Sequence, residues 1–313
     1  MSGDLTEENF FTKWCLALRP FSFPASITPV ILGTVASVAV GGASFNIFHF
    51  LLALIGMLAL HGASNLLNDV YDFKLGLDTK VFPVSGAVVR KLISLEAALK
   101  ASILLYLFGG LIGIFLALNS TLHLLWIGLL GLFIGIGYSY VRIGLKYRAL
   151  GDFCVFLDFG ILGTLGAWTL QSHSPSWIPV LWSVPIGLHI IAILHANNWR
   201  DIQSDGKKGS VSIAAILGDK GSFYYYGFLI FMPYILVVLY IFVPDFDGSG
   251  VRLPLGSLAT FLSLPLAIKL LAKASQRGAP RNELDFVALD GSTARLNLLF
   301  GGLLILGFVM FFF

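Results

Sequence analysis

The sequence predicts an all-α fold: a polytopic membrane protein of about nine transmembrane helices around a central cavity. Two observations lead there first. Of 313 residues, 57% are hydrophobic and 12% charged, whereas a soluble domain carries about 25% charged residues. Apolar stretches of about 20 residues also recur along the chain, each long enough to cross a hydrocarbon core. A third observation is the placement of the cations, which alternates from one connection to the next in the way a chain weaving through a bilayer requires.

Taken in order, the apolar segments fall at 20–42, 47–70, 94–117, 121–141, 150–171, 178–199, 221–243, 254–273 and 292–313. The start, MSGDLTEENFFTKW, is polar and acidic, so 1–19 reads as a tail and the first apolar run as a span, not a cleaved leader. Gly and Pro interrupt the fifth and sixth segments. The whole chain, 1–313, reads as one domain, with pseudo-repeat halves at about 20–141 and 150–273 and the ninth helix beyond them. Cys15 and Cys154 are expected to be packing residues. One precedes the first span and the other lies inside the fifth, and two isolated Cys make no zinc site.

The charges orient the chain. Lys74, Lys80, Arg90 and Lys91 lie between the second and third spans, and Arg142, Lys146 and Arg148 between the fourth and fifth. Arg200, Lys207, Lys208 and Lys220 follow the sixth, and Lys269, Lys273, Arg277 and Arg281 surround the end of the eighth. The connections between them carry almost none; Arg252, beside Asp245 and Asp247, is the exception. The positive-inside rule then puts the N-terminus and the cation-rich connections in the cytoplasm, and the C-terminus on the other side. A bacterial plasma membrane is the default location, with a eukaryotic endomembrane as the alternative.

Two polar clusters lie on that cytoplasmic face. The second span ends in Asn65-Leu-Leu-Asn68-Asp69-Val-Tyr71-Asp72-Phe-Lys74-Leu-Gly76-Leu-Asp78. Residues four apart share a helix face, so Asn65 pairs with Asp69 and Asn68 with Asp72. Gly76 can end the helix and let Asp78 fold back. The sixth span ends in His195-Ala-Asn197-Asn198-Trp199-Arg200-Asp201, with Asp205 beyond. Asn197, Asp201 and Asp205, spaced by four, are expected to stack on one face, with Asn198 beside them. Carboxylate and amide oxygens are hard ligands suited to Mg²⁺, which takes one or two carboxylates plus substrate phosphate oxygens. Acids at a helix C-terminus oppose its dipole and so need a reason to be there. The equivalent chemistry four spans apart also suggests an internal repeat. Two such clusters suit two metal ions and an anionic ligand such as diphosphate. Lys146, Arg200 and Lys207, with Lys74 nearby, are candidates for its remaining charge.

With both clusters in hand, the chain resembles the UbiA superfamily of intramembrane aromatic prenyltransferases. Asn68-Asp69-x-x-Asp72-x-x-x-Gly76-x-Asp78 looks like that family's first Asp-rich motif, and Asn197-Asn198-Trp199-Arg200-Asp201-x-x-x-Asp205 like its second. Further similarity to the 1,4-dihydroxy-2-naphthoate branch of menaquinone synthesis, and to related animal UbiA-domain enzymes, lies in four segments. These are Leu18-Arg19-Pro20 through Gly33, Gly144-Leu-Lys146-Tyr147 through Asp152, Ser212 through Gly218, and Thr293-Ala-Arg295-Leu-Asn297. There are departures: Ser210 and Ser212 stand where the branch often has Lys and Thr, and 81–86 lacks an Arg that Lys80 can replace.

The resemblance implies Mg²⁺-dependent transfer of a prenyl group from a polyprenyl diphosphate to an aromatic acceptor, most readily 1,4-dihydroxy-2-naphthoate, giving a demethylmenaquinone. Asn68, Asp69, Asp72, Asp78, Asn197, Asn198, Asp201 and Asp205 would hold metal. Lys146 and Arg200 would stabilise developing charge. Tyr138 or Tyr140 would face the allylic cation, or serve only as interfacial anchors. Arg19 would pair with an acceptor carboxylate and Asn65 or His61 would bind a phenol. His195, a costly polar group in a span, is a further substrate-binding candidate. Membrane lipid, the diphosphate and the aromatic acceptor are the expected partners, and nucleic acid is not. One rival keeps the fold but uses 4-hydroxybenzoate, homogentisate or a glycerol-phosphate lipid as acceptor. An ion-coupled transporter is the rival of another class, and the gathering of the acids at one face speaks against it.

Overall fold

The computed structural model describes residues 9–77, 86–202, 211–243, 251–276 and 283–312. Asp78, Asp205 and Lys207 lie outside them. Among the described residues the structure is helical, and helix stands at every position where the sequence shows an apolar run. Helix α1 (Phe10–Leu18) leads through a short turn at Pro20–Ser22 into α2 (Pro24–Ala39). Then come α3 (Ile47–Lys74), α4 (Leu95–Asn119) and α5 (His123–Ser139). The next helix is composite: α6 (Gly151–Val155), a π-helical stretch Phe156–Leu162, and α7 (Gly163–Ser172). Helices α8 (Trp177–Arg200) and α9 (Ile213–Phe242) follow. A 3₁₀ stretch Leu255–Ser263 then leads into α10 (Leu264–Ser275), and α11 (Glu283–Phe312) closes the chain.

Seven of these helices are long and apolar enough to cross a membrane, and an eighth results if the first two are one span bent by 53°. The remaining candidate, α5, is a shorter apolar helix. The count of nine is therefore approximate. The reasons lie in the sequence: Pro20 and Pro24 break the first span, because Pro supplies no N–H for a helix interior. The caps are also local. Asn46 accepts the N–H of His49 at 3.0 Å, and Ser94 that of Ala97 at 3.1 Å. Ser212 accepts the N–H of Ala215 at 3.1 Å. Each such cap satisfies an orphan donor at a helix start. Within α9, Gly218 has φ 62° and ψ −174°, a region reserved for glycine, so the apolar span begins only after it.

The helices pack mainly with sequence neighbours, α3 along α4 and α8 along α9, while α2 packs on α7 and α11 on both α2 and α8. Small residues set the closeness. A Cβ on Gly33 would lie 2.2 Å from the Thr164 carbonyl oxygen, so α2 and α7 touch backbone to backbone, a packing device typical of membrane helices. The largest core cluster joins α2, α8, α9 and α11, with Trp182, Ile186, Trp199, Tyr226 and Phe300 buried in it. A second, smaller core holds α1 and α3 against residues 87–98. The surfaces of α4 and α5 remain apolar and exposed at Leu104, Leu111, Trp126 and Phe133, as a lipid-facing side requires.

Candidate active site

The site is built where α3 and α8 end. On α3, Asn68 and Asp72 turn toward a cavity. Lys146, in the short turn Leu145–Tyr147, reaches both: its Nζ donates to Asp72 at 2.7 Å and also to Asn68 Oδ1. Tyr147 Oη donates to the same Asp72 carboxylate at 3.1 Å, and Ser139 Oγ to Asn68 Oδ1 at 3.1 Å. The turn is itself tethered. The N–H of Ala149 donates to the Val211 carbonyl at 2.6 Å, and that of Val211 to the Tyr147 carbonyl at 3.1 Å. These bonds clip the lysine turn to the connection between α8 and α9.

On the α8 side, Arg200 grips Asp201 with two bonds, Nε to Oδ1 at 3.0 Å and Nη2 to Oδ2 at 2.9 Å. Its Nη1 donates to Asp290 of α11 at 3.0 Å, and Asn197 Nδ2 reaches the same oxygen at 3.3 Å. A planar guanidinium held by two carboxylates has little freedom left. Trp199 Nε1 donates to Asp219 at 3.0 Å and pins the end of α8 to α9 just past the Gly218 break.

Both groups line one cavity, together with Arg19, His61, Asn65, Tyr138, Asn197, Asn198 and Asp158. Its volume, about 200 Å³, is an order of magnitude more than the roughly 10–15 Å³ that a single water requires, so it is a chamber and not a packing gap. A second, mostly apolar cavity of about 170 Å³ adjoins it and runs between α3, α4, α5 and α7.

The match to known proteins is with these elements. A family model described as the UbiA prenyltransferase family matches residues 27–289. The chain belongs to the UbiA prenyltransferase family. It is 33% identical over 300 residues to UbiA prenyltransferase domain-containing protein 1 of Xenopus tropicalis, covering 95% of this chain and 81% of that one. The human protein of the same name is 32% identical over 304 residues, with 95% and 83% covered. Among solved structures, a UbiA homolog from Archaeoglobus fulgidus bound to DMAPP and Mg²⁺ superposes with a TM-score of 0.62 at 14% identity, covering 94% of this chain and 99% of that one. A UbiA homolog from Aeropyrum pernix K1 gives 0.60 at 19% identity, covering 92% and 97%. This is therefore a multi-pass membrane prenyltransferase of the UbiA type.

Within this UbiA fold, several residues differ from their expected setting. Asp69 is 1% exposed and does not line the cavity; its carboxylate takes the Arg19 guanidinium and, at 3.1 Å, the N–H of Ala87. One helix step is 100°, so Asp69 cannot share the direction of Asn68. Arg19, expected to await an acceptor carboxylate, is engaged by Asp69, and its backbone adopts φ 54°, a conformation costly for a non-glycine residue. His195 is fully buried and is absent from the cavity wall. Its Nδ1 sits 3.8 Å from Asp152, and its ring packs edge-on against Tyr225. Lys74 is exposed and lies over the Tyr71 ring, and Tyr140 packs edge-on against the same ring, so neither reaches the chamber. Helix α8 ends at Arg200 with Asp201 as its cap, and the Asp205 member of the expected i, i+4, i+8 stack lies outside the described residues.

Others stand where the spacing put them. Asn68, Asp72, Asn197, Asn198 and Asp201 face one chamber, and Tyr138 lines it with Lys146 Nζ 6.0 Å from its ring centre. Asn65 lines it while donating to the Leu18 carbonyl at 2.9 Å, and His61 is held by Ser26 at 2.5 Å and Ser22 at 3.1 Å. Sequence reasoning missed Asp290, Tyr147 and Asp158. Asp290 lies 90 residues from Arg200, beyond any local pattern, whereas a lone carboxylate inside a span, as Asp158 is, is a signal in itself.

Proposed function

We propose that this prenyltransferase moves a prenyl group from a polyprenyl diphosphate to an aromatic acceptor with Mg²⁺ as cofactor, and that the acceptor is 1,4-dihydroxy-2-naphthoate. The observation that carries the reading is the convergence of Asn68 and Asp72 from α3, and of Asn198, Asp201 and Arg200 from α8, on one chamber beside Lys146.

The donor set suits Mg²⁺. All the candidate ligands are hard oxygens, as the ion prefers. No group of three or more His, Cys, Asp or Glu stands close enough to hold a metal among the described residues. Lys146 and Arg200 occupy the carboxylates of Asp72 and Asp201, and Asp78 and Asp205 lie outside the described residues. That suits a shared site completed by diphosphate oxygens, with Asn68, Asp72, Asn198 and Asp201 as protein ligands and Asp78 and Asp205 as further members. Bound there, Mg²⁺ would supply Lewis-acid stabilisation of the leaving diphosphate. Asp69 drops out of the set because Arg19 holds it.

The chain's own residues do the rest. Lys146 and Arg200 hold positive charge, already oriented, where the diphosphate oxygens gain negative charge. Tyr138 offers its ring face to the allylic carbon. His61 and Asn65, fixed by Ser22, Ser26 and Leu18, present polar edges to the acceptor. The adjoining apolar cavity takes the isoprenoid tail. The site opens on the cytoplasmic side, as the cation distribution indicates.

The test is to incubate membranes containing the protein with Mg²⁺, geranylgeranyl diphosphate and each of three acceptors: 1,4-dihydroxy-2-naphthoate, 4-hydroxybenzoate and homogentisate. Prenylated naphthoquinol as the main product is expected. Product from 4-hydroxybenzoate alone would overturn the choice of acceptor.

A further inference from the structure

The helix that carries Asp158 crosses the membrane as an apolar segment, and a charged side chain at that depth is expensive. Its carboxylate makes no hydrogen bond or ion pair with any described residue. It belongs instead to the walls of both cavities, and only His61, Ser64, Gly135 and Phe159 share that position. Asp158 therefore stands at the neck where the polar chamber meets the apolar one.

The neck is built to leave that carboxylate accessible. Asp158 lies in the π-helical stretch Phe156–Leu162, a departure from α-helix that often marks functional positions. Across from it, α5 offers two glycines. A Cβ on Gly131 would come within 2.9 Å of Asp158 Oδ1. One on Gly135 would lie 3.4 Å from Ser64 Oγ, 3.6 Å from Tyr106 Oη and 3.8 Å from Asp158 Oδ2. So three oxygens ring the space above Gly135, and Ser64 and Tyr106 are already bonded to each other at 2.8 Å. The depth also fits. Ser64 precedes Asn68 by one turn of α3 and Asp72 by two, about 6 and 12 Å along the axis. A ring placed against the first carbon of a diphosphate held at Asn68 and Asp72 reaches this level.

We propose that Asp158, flanked by the Tyr106–Ser64 hydroxyl pair, is a catalytic residue that binds the hydroxyl of the aromatic acceptor and takes its proton. The inference rests on the prenyl-transfer reading above. In the step, the acceptor O–H bond breaks, its proton passes to an Asp158 oxygen, and the O–H electron pair moves into the ring. The ring carbon bonds to the first prenyl carbon as the C–O bond to diphosphate breaks and diphosphate leaves with that pair. The ring proton passes to the departed diphosphate, or CO₂ leaves a carboxylated carbon; either restores the aromatic ring with its pair on the ring oxygen, and Asp158 returns its proton to that oxygen. Tyr106 and Ser64 act as positioning residues that hold the hydroxyl toward the carboxylate.

The experiment compares native enzyme, Asp158→Asn, Asp158→Glu and Tyr106→Phe in detergent with Mg²⁺ and geranylgeranyl diphosphate. The acceptors are the hydroxylated one the native enzyme prefers and its methyl ether. Loss of a positioned base costs roughly 10²–10⁴-fold. Asp158→Asn is expected to lose at least about 100-fold in kcat on the hydroxyl acceptor with the KM for the donor within about threefold. Asp158→Glu recovers part of that loss, and Tyr106→Phe loses about tenfold with an unchanged donor KM. On the methyl ether, native enzyme and Asp158→Asn are equally slow. Native kcat in Asp158→Asn, or a fall in donor affinity matching the fall in kcat, overturns the assignment while leaving the prenyl-transfer reading intact. If Asp158→Asn does not fold, an unaltered kcat in Tyr106→Phe overturns it. A native enzyme that prenylates no aromatic acceptor overturns both.

Discussion

Replacing Lys146 with Met keeps the length and apolar stem of the side chain and removes only the charge. Its Nζ lies 2.6 Å from one oxygen of Asp72 and 2.7 Å from the other, and the two side chains are 15% and 10% exposed. Two unit charges at that separation and an effective dielectric near 20 interact by roughly 6 kcal/mol, which is a ceiling because the chamber admits water. Mutational losses of a single preorganised donor run at about 2.7–4 kcal/mol. Taking the lower figure, and about 1.36 kcal/mol per decade, kcat falls about 100-fold. Stability falls far less, because Tyr147 Oη still donates to Asp72 at 3.1 Å. Single-turnover prenyl transfer at saturating donor and acceptor measures the fall. Lys146→Arg recovers only part of the rate, since a guanidinium is not a compact ammonium. A Lys146→Met enzyme with kcat within about threefold of native would refute the electrostatic role, on the scale of a single donor's usual effect.

Further expectations follow from the same geometry. Asp69→Ala strands the Arg19 charge and lowers stability by about 3 kcal/mol, read as a drop in thermal unfolding temperature. The double variant Arg19→Met with Asp69→Leu recovers most of it, because an apolar pair often replaces a buried ion pair without loss. A metal-binding Asp69 would instead show a raised Mg²⁺ requirement at unchanged stability. Asp290→Ala removes the Nη1 bond that helps orient Arg200 and raises the KM for the diphosphate about tenfold, the effect of losing roughly one charged hydrogen bond. Gly33→Val forces the α2–α7 contact apart, where a Cβ would stand 2.2 Å from a carbonyl oxygen, and destabilises by at least ~1–3 kcal/mol; detergent-resistant folded protein should decline accordingly.

Most of the fold was legible because hydrophobic runs record membrane crossings directly. Every apolar run in the sequence has a helix at its place, and the errors sit at the ends. Helix α3 continues through Lys74, and the helix of the seventh span starts at Ile213 with a break at Gly218. The pairing of Asn68 with Asp72 was legible from spacing, since four residues nearly complete a turn. The fate of Asp69 was not. Its direction depends on Arg19, 50 residues away, and no local period encodes that partner. The same holds for Asp290, which a helix at the far end of the chain brings to Arg200. His195 misled because a polar residue in a span suggests a substrate contact, whereas packing beside Asp152 and Tyr225 removes it from the chamber. Asp158 could have been found by the very argument applied to His195.

The central claim is that the ends of α3 and α8 together hold one diphosphate. The most direct measurement is Mg²⁺-dependent prenyl transfer by Asp72→Ala and Asp201→Ala, each compared with native enzyme in the same membranes. Either substitution alone is expected to remove nearly all product while the protein stays folded. Full activity in either variant would contradict that claim.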